Sequence, residues 1–387
     1  MATPSDLSNQ QWTSNLTGTS SLSLRTVPLS LPSCLGPNEV LVKIHSVSLN
    51  FKDAETVNGQ FNHHKSISLP EEIIPCSDAA GSIFRIGAKV TRWQVGDRVM
   101  SVGVPDFWSG VLTEELLRGG IGASGKGVLC QYRVFKDYAL VPTPAYMSDD
   151  EACTLQVAGT TAWMAMNGLR PLGHPGGQRE TVLLQGTGGV SMQGLLIAKA
   201  SGAEGMCSPL LSLPACIQAK KPPTLTRRIA KVIITSSSDR KLAQAQALGA
   251  DHVINYKTTP AWDEEILRLT HGRGVDLIFE NGGALTTVKS FNALKMGGTI
   301  VGIGYVSGKI DPPDERVNIN VMVIKKNATY KGLINGPRER LDEMLAFYEK
   351  HQLRPVIDRV FAFEDAKAAF AYLESGGHFG KIIIKVA

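Results

Sequence analysis

The chain has 387 residues, 43% hydrophobic and 19% charged, which suits two globular domains with buried cores and is too long for one small domain. Its formal charge of +5 looks basic, but Lys220, Lys221, Arg227 and Arg228 crowd into 204–230 against the single acid Glu204. No basic stripe interleaved with aromatics is left to suit nucleic acid.

In chain order, residues 1–150 hold short β-type runs: EVLVKIHSVSL (39–49), GSIFRIG (81–87), VGDRVMSV (95–102) and YALVP (138–142), with Gly87, Gly96-Asp97 and Pro142 as punctuation. This is the pattern of a small β-barrel-like domain. From about 180 strands and helices alternate. TVLLQ (181–185), KVIIT (231–235), HVINY (252–256), VDLIFENGG (275–283) and TIVGIG (299–304) read as strands. GGVSMQGLLIAKASG (188–202), DRKLAQAQALGA (239–250), DEEILRLTHG (263–272) and TTVKSFNALKMGG (286–298) read as the helices between them. That alternation implies a doubly wound parallel sheet. After about 328 come a strand (TYKGLI), two helices (PRERLDEMLAFYEKHQ and EDAKAAFAYLE) and a last strand (KIIIKV).

Cys34, Cys76, Cys130, Cys153, Cys207 and Cys216 form no CxxC pair and read as reduced thiols of an intracellular protein. The start carries no signal or transit pattern, and no apolar run approaches ~18 residues. The expectation is a cytoplasmic protein with no membrane and no nucleic-acid partner.

Gly186, Thr187, Gly188, Gly189 and Val190 directly follow a strand and open a helix, the context that a dinucleotide fingerprint needs. Glycines let the backbone turn tightly and approach a diphosphate, whose charge sits at the helix N-terminus. Ser191 stands where the strict pattern wants a third glycine. A carboxylate expected ~20 residues on, to take the ribose hydroxyls of NAD, is missing. The second strand ends instead in Thr235-Ser236-Ser237-Ser238, followed by Asp239 as a helix cap and by Arg240 and Lys241. Hydroxyls and cations there favour the 2′-phosphate of NADPH. The distance from Gly189 to Ser236 is more than twice the expected ~20 residues. Taking out 204–230, with Pro209, Pro214, Pro222 and Pro223, restores it, so this segment reads as an insertion, either genuine or retained intron sequence.

SLNFKDAETVNGQF (48–61), VGDRV (95–99), VAGTTAW (157–163), GTGGVS (186–191), GADHVINY (249–256), GGTIVGIG (297–304) and HFGKIIIKV (378–386) together resemble the medium-chain dehydrogenase/reductase superfamily, in particular its zinc-free quinone oxidoreductase and enoyl reductase branch. The resemblance covers nearly the whole chain apart from the insertion and the polar first twenty residues. It implies an α/β protein with a GroES-like β-barrel catalytic domain over 1–150, completed by 328–387, and a Rossmann NADP-binding domain over 151–327. It assigns Thr161 to the nicotinamide side and Gly186–Val190 to the diphosphate. It puts Ser237, Lys241 and Tyr256 near the 2′-phosphate, the backbone at Gly302 and Ile303 by the carboxamide, and Lys381 as a C-terminal cofactor contact.

In zinc-dependent relatives three positions carry the catalytic ligands, and here they are Asn50, Ser77 and Val157. Of the four cysteines of a structural zinc lobe, 100–135 offers only Cys130. His63-His64 reads as a polar loop, so no metal site is expected. Zinc-free relatives add hydride to a C=C bond conjugated to a carbonyl, and stand-alone reductases of this kind occur in fungal secondary metabolism. Some use a tyrosine in a G-x-Y motif as proton donor, but Gly59-Gln60-Phe61 puts phenylalanine there. Asn50 and Lys52 are the remaining candidates, with Asn50 as a donor to the substrate oxygen. The alternative is that Lys52 pairs with Asp53 while Asn50 fixes a turn.

Three readings stay open: an NADPH-dependent enone or enoyl reductase, a zinc-free carbonyl dehydrogenase or quinone reductase, and a non-catalytic NADP-binding protein. The expected partner is a small-molecule substrate, and a homodimer is a further option. The insertion joins the end of a crossover helix to the start of a strand, away from the cofactor crevice. Deleting 204–230 is therefore expected to leave NADPH affinity unchanged in a fluorescence titration. A large gain would show that the segment obstructs the fold or the site.

Overall fold

The structure is a computed structural model that describes residues 8–29, 35–61, 70–177, 179–202, 231–310, 313 and 316–387. The proposed insertion 204–230, the pair His63-His64 and Cys34, Cys207 and Cys216 lie outside these residues.

The first part of the chain forms β1 (Ser8–Thr13), β2 (Ser23–Pro28), β3 (Glu39–Ser48), helix α1 (Phe51–Val57), β4 (Asp78–Ile86), β5 (Arg98–Ser101), α2 (Glu114–Arg118), β6 (Tyr132–Lys136), β7 (Leu140–Pro142) and α3 (Asp149–Ala152). A π-helical turn over Leu155–Gly159 leads into α4 (Thr160–Asn167). Then come β8 (Thr181–Gln185), α5 (Gly189–Ser201), β9 (Lys231–Ser236), α6 (Asp239–Ala247), β10 (His252–Asn255), α7 (Trp262–Leu269), β11 (Val275–Glu280), α8 (Thr287–Ala293), β12 (Leu294–Gly302), α9 (Ile319–Lys326) and β13 (Thr329–Gly332). The chain continues through α10 (Arg338–His351), β14 (Ile357–Ala362), α11 (Ala366–Glu374) and β15 (Lys381–Lys385).

These elements fall into two compact units. One holds the described residues up to Thr161 together with Gly188–Val190 and Asn335–Ala387. Its main sheet runs β14-β15-β3-β4-β5-β7, with β6 also paired to β3. The strands are antiparallel except for β14 and β15, which run parallel. Alternating side chains of β3 and β4, among them Val40, Val42, Ile44 and Ile83, are fully buried in a core that also takes Phe370, Ile382 and Ile384. The polar stretch before residue 20, outside the resemblance, contributes β1. Trp12 buries its ring there and donates its indole N–H to Phe363 O at 2.8 Å.

The other unit comprises Ala162–Thr187 and the described part of 191–334. Its six strands are all parallel, in the order β10-β9-β8-β11-β12-β13. Strand order reverses between β8 and β11, which marks the switch point outside the carboxyl ends where a doubly wound sheet receives its ligand. Buried residues of β8, β9 and β11 (Leu183, Ile233, Ile278) pack with Phe291 and Ile266 from the helices.

The structure moves two boundaries. The unit edges fall after Thr161 and after Ile334, against 150 and 328 from the sequence. TYKGLI supplies the sixth strand of the parallel sheet, Thr329 to Gly332 pairing with Thr299 to Gly302, so it belongs with the residues before it. The helix expected over 286–298 stops at Ala293, because Leu294 already pairs with Val275 as part of β12. Phe291 is fully buried at the centre of the second core. Phe291→Ala is expected to lower unfolding free energy by about 3–5 kcal/mol in urea titrations of the whole chain. A loss under about 1 kcal/mol would mean that this core is not packed around the ring.

Candidate active site and cofactor cradle

Two groups of polar residues stand out, one in each unit. In the parallel sheet the cofactor candidates gather at the carboxyl ends of the strands. Gly186 follows β8 with φ of 77°, a left-handed conformation that favours glycine, and its N–H donates to Thr235 O at 2.9 Å. The helix α5 starts at Gly189, so the N–H groups of its first turn, which have no partner within the helix, follow directly on this loop. Gly189 has a second reason to lack a side chain: a Cβ there would lie 2.6 Å from Lys381 Cδ.

Beside that loop, β9 ends at Ser236 and β10 at Asn255, which are register partners. The next residues, Ser237 and Tyr256, are therefore neighbours, and Tyr256 is exposed. Lys241 sits on the first turn of α6 and is largely buried. The helix cap is Ser238, whose hydroxyl accepts from Lys241 N, and not Asp239 as the sequence suggested. The Asp239 carboxylate instead accepts from Asn255 Nδ2 at 2.7 Å. Gly302 ends β12, and the N–H of Ile303 donates to Glu280 O at 2.8 Å. This set fits a nicotinamide dinucleotide: a tight glycine turn, a helix start, and a hydroxyl-and-cation rim beside them.

Glu280 escaped the sequence reading. It ends β11 almost wholly buried, and its carboxylate accepts from Gln185 Nε2 (2.7 Å), from Gly282 N and Gly283 N (both 3.0 Å), and from the hydroxyls of Thr286 and Ser290. A buried charge is tolerable only when its lone pairs are taken up in this way. An acid closing the apolar run LIF (277–279) at the carboxyl end of its strand was the available signal.

The other unit holds the catalytic candidates. Asn50 precedes α1 in an extended conformation, and its N–H donates to Asp53 Oδ2 at 2.8 Å, an N-terminal capping arrangement. Its amide lies between opposite charges: Nδ2 donates to Asp78 Oδ2 at 3.0 Å, and Oδ1 accepts from Lys381 Nζ at 2.7 Å. Lys381 also donates to Leu49 O at 2.5 Å. Asp78 takes Val157 N at 3.2 Å and Ser77 Oγ at 2.7 Å. So Asn50, Ser77 and Val157, the three positions that the resemblance matches to zinc ligands, all converge on one carboxylate. They offer an amide, a hydroxyl and a backbone N–H, with an ammonium alongside, and neither a thiolate nor an imidazole. Zinc does not fit such a donor set.

Burial pushes the Asp78 carboxyl up from its ordinary value, against the opposing pull of Lys381 and Asn50. Burial likewise pulls the Lys381 ammonium down, against Asp78 and Asp53. Lys52 pairs with Asp53 at 3.2 Å, which is the structural alternative that the sequence left open for it. Lys381, expected as a cofactor contact, commits its ammonium to Leu49 and Asn50 and lays only its stem against Gly189. Thr161 is buried at the start of α4, just after the π-helical turn.

Comparison with known proteins agrees with this architecture. Residues 36–145 match the alcohol dehydrogenase GroES-like domain family, and 248–384 match the zinc-binding dehydrogenase family. A zinc-type alcohol dehydrogenase-like protein of Schizosaccharomyces pombe is 32% identical over 94% of this chain and 95% of its own. A chloroplastic quinone oxidoreductase of Triphysaria versicolor is 25% identical over 94% of each chain. A solved structure of a putative alcohol dehydrogenase from Sinorhizobium meliloti superposes with a TM-score of 0.76 over the whole of both chains, at 30% identity. The chain belongs to the medium-chain dehydrogenase/reductase superfamily, whose members are oxidoreductases that use NAD or NADP.

Lys381→Met would leave Asp53 and Asp78 buried with one counter-charge fewer. It is expected to cost about 3–5 kcal/mol of stability in denaturant unfolding. A cost below about 1 kcal/mol would show that the ammonium is not what balances the two acids.

Proposed function

We propose that this protein is an NADPH-dependent, zinc-independent reductase of a small molecule, delivering hydride to a C=C bond conjugated to a carbonyl. The observation that carries the reading is Asp78, which gathers Asn50, Ser77 and Val157 N–H into hydrogen bonds where a metal-dependent relative would present ligands. Without a Lewis acid to activate an alcohol or isolated carbonyl, the suited acceptor is one whose conjugation already draws electrons from the reacting carbon. Quinones have this character, and a quinone oxidoreductase is among the relatives.

When bound, the reduced nicotinamide supplies the hydride. Asn50 Nδ2 spends one N–H on Asp78 and has a second to offer a substrate oxygen, and the Lys381 ammonium on Oδ1 strengthens that donor. Phe61 can donate no proton, so the proton for carbon comes from water or from Lys52. The preference for the phosphorylated coenzyme rests on Ser237, Lys241 and Tyr256 beyond β9 and β10, and on the Asp239 carboxylate being engaged by Asn255.

NADPH oxidation should require an acceptor and respond to an enone or quinone panel, with substoichiometric zinc by elemental analysis. Stoichiometric zinc, or turnover with simple alcohols alone, would defeat the proposal. Asn50→Ala is expected to lower kcat by about 10²–10³-fold while NADPH affinity holds. Lys241→Ala is expected to raise KM for NADPH about tenfold and leave that for NADH unchanged. Equal effects on both coenzymes would remove Lys241 from the phosphate site.

A further inference from the structure

Ser191, the departure from the glycine pattern, belongs to a hydrogen-bonded wall within the parallel-sheet unit. Its hydroxyl donates to Gln185 O at 2.8 Å. Its one hydrogen is thereby used, so towards Asn281 the oxygen can only accept, and it takes Asn281 Nδ2 at 3.2 Å. The other hydrogen of that amide goes to Gln185 O at 2.9 Å. The orientation of the Asn281 side chain follows from the bonding itself. Both N–H groups are spent, one on Ser191 of α5 and one on the end of β8, and Oδ1 accepts nothing among the described residues.

The backbone beneath is equally fixed. Gln185 Oε1 accepts from Asn281 N (3.0 Å) and Gly282 N (3.1 Å), and Gln185 Nε2 is held by Glu280 and Ser290. Asn281 O accepts from Val306 N at 3.1 Å. A half-buried amide with a locked orientation and a vacant acceptor thus stands at the switch point between β8 and β11.

The order of strands says what would reach it. The hydroxyl-and-cation rim lies past β9 and β10, the glycine turn past β8, and Asn281 past β11. A dinucleotide laid along these ends, with its 2′-phosphate at the rim and its diphosphate at the glycines, brings its nicotinamide ribose over β11. That sugar carries hydroxyl donors. We propose that Asn281 is a further cofactor-binding residue whose Oδ1 accepts a hydroxyl of the nicotinamide ribose, and that Ser191 is the positioning residue that aims it. The inference rests on the cofactor reading above and names a contact within that site.

The test compares NADPH with adenosine 2′,5′-bisphosphate, which keeps the phosphorylated half and lacks the second ribose. Calorimetric titration of the whole chain is expected to show Asn281→Ala weakening NADPH about tenfold while leaving the bisphosphate unchanged. Ser191→Ala should give the same split at about threefold, and the double variant should bind NADPH no worse than Asn281→Ala alone. Equal loss for both ligands would make Asn281 merely structural and overturn the proposal, as would unchanged NADPH binding. If Asn281→Ala does not fold, the split with Ser191→Ala decides alone. Wild-type protein that binds neither NADPH nor NADH would overturn the cofactor reading itself. Wild-type binding of NADH in preference would overturn only the phosphate rim, and the Asn281 comparison then runs between NADH and AMP.

Discussion

A single buried carboxylate, Glu280, sets the geometry on which the carboxyl end of the parallel sheet depends. Five donors converge on its two oxygens, and they come from β8, from the turn that follows β11, and from α8. Its backbone oxygen also receives Ile303 N and Gly304 N from the end of β12. Burying such a group without partners would cost several kcal/mol, so the surrounding chain has little freedom to adopt another arrangement. The ends of three strands are thereby held in one register before any ligand arrives. Pre-formed cradles bind more tightly because less ordering remains to be done on association.

In the other unit the same principle works with both signs of charge. Asp53, Asp78 and Lys381 are each almost fully buried, and Asn50 bridges the last two through opposite ends of its amide. An amide pinned by an acid on its nitrogen and an ammonium on its oxygen cannot flip, and its dipole is reinforced from both sides. Asn50, Ser77 and Val157, the three positions that the resemblance matches to zinc ligands, all bond to Asp78.

The alternation of strand and helix in the second half was legible because parallel strands buried on both faces read as unbroken apolar runs, as TVLLQ and KVIIT do. The glycine turn was legible from its place between strand and helix, and the hydroxyl rim from a missing acid. What could not be read was long-range. Nothing local announces that TYKGLI joins the strand at 299 rather than the chain end, or that Trp12 finds Phe363. Lys381 looked like a cofactor contact because its neighbours HFG-KIII match a family segment, whereas its ammonium answers to residues some 330 positions earlier. Ser191 registered only as a departure, since its role depends on Asn281, ninety residues on.

The place of β15 has a consequence for how the molecule is made. It lies between β14 and β3 and pairs Ser46–Ser48, so that stretch of β3 stays open on one side until residues 381–385 have been made, although β6 covers Glu39–Lys43 earlier. Until then Ser46–Ser48 present unpaired amides, and Asp78 lacks the Lys381 ammonium. Closure over so wide a sequence separation is slow, and incomplete sheets with bare edges pair readily with the wrong neighbours. The parallel sheet, built from one nearly continuous stretch, is under no such obligation and can form first.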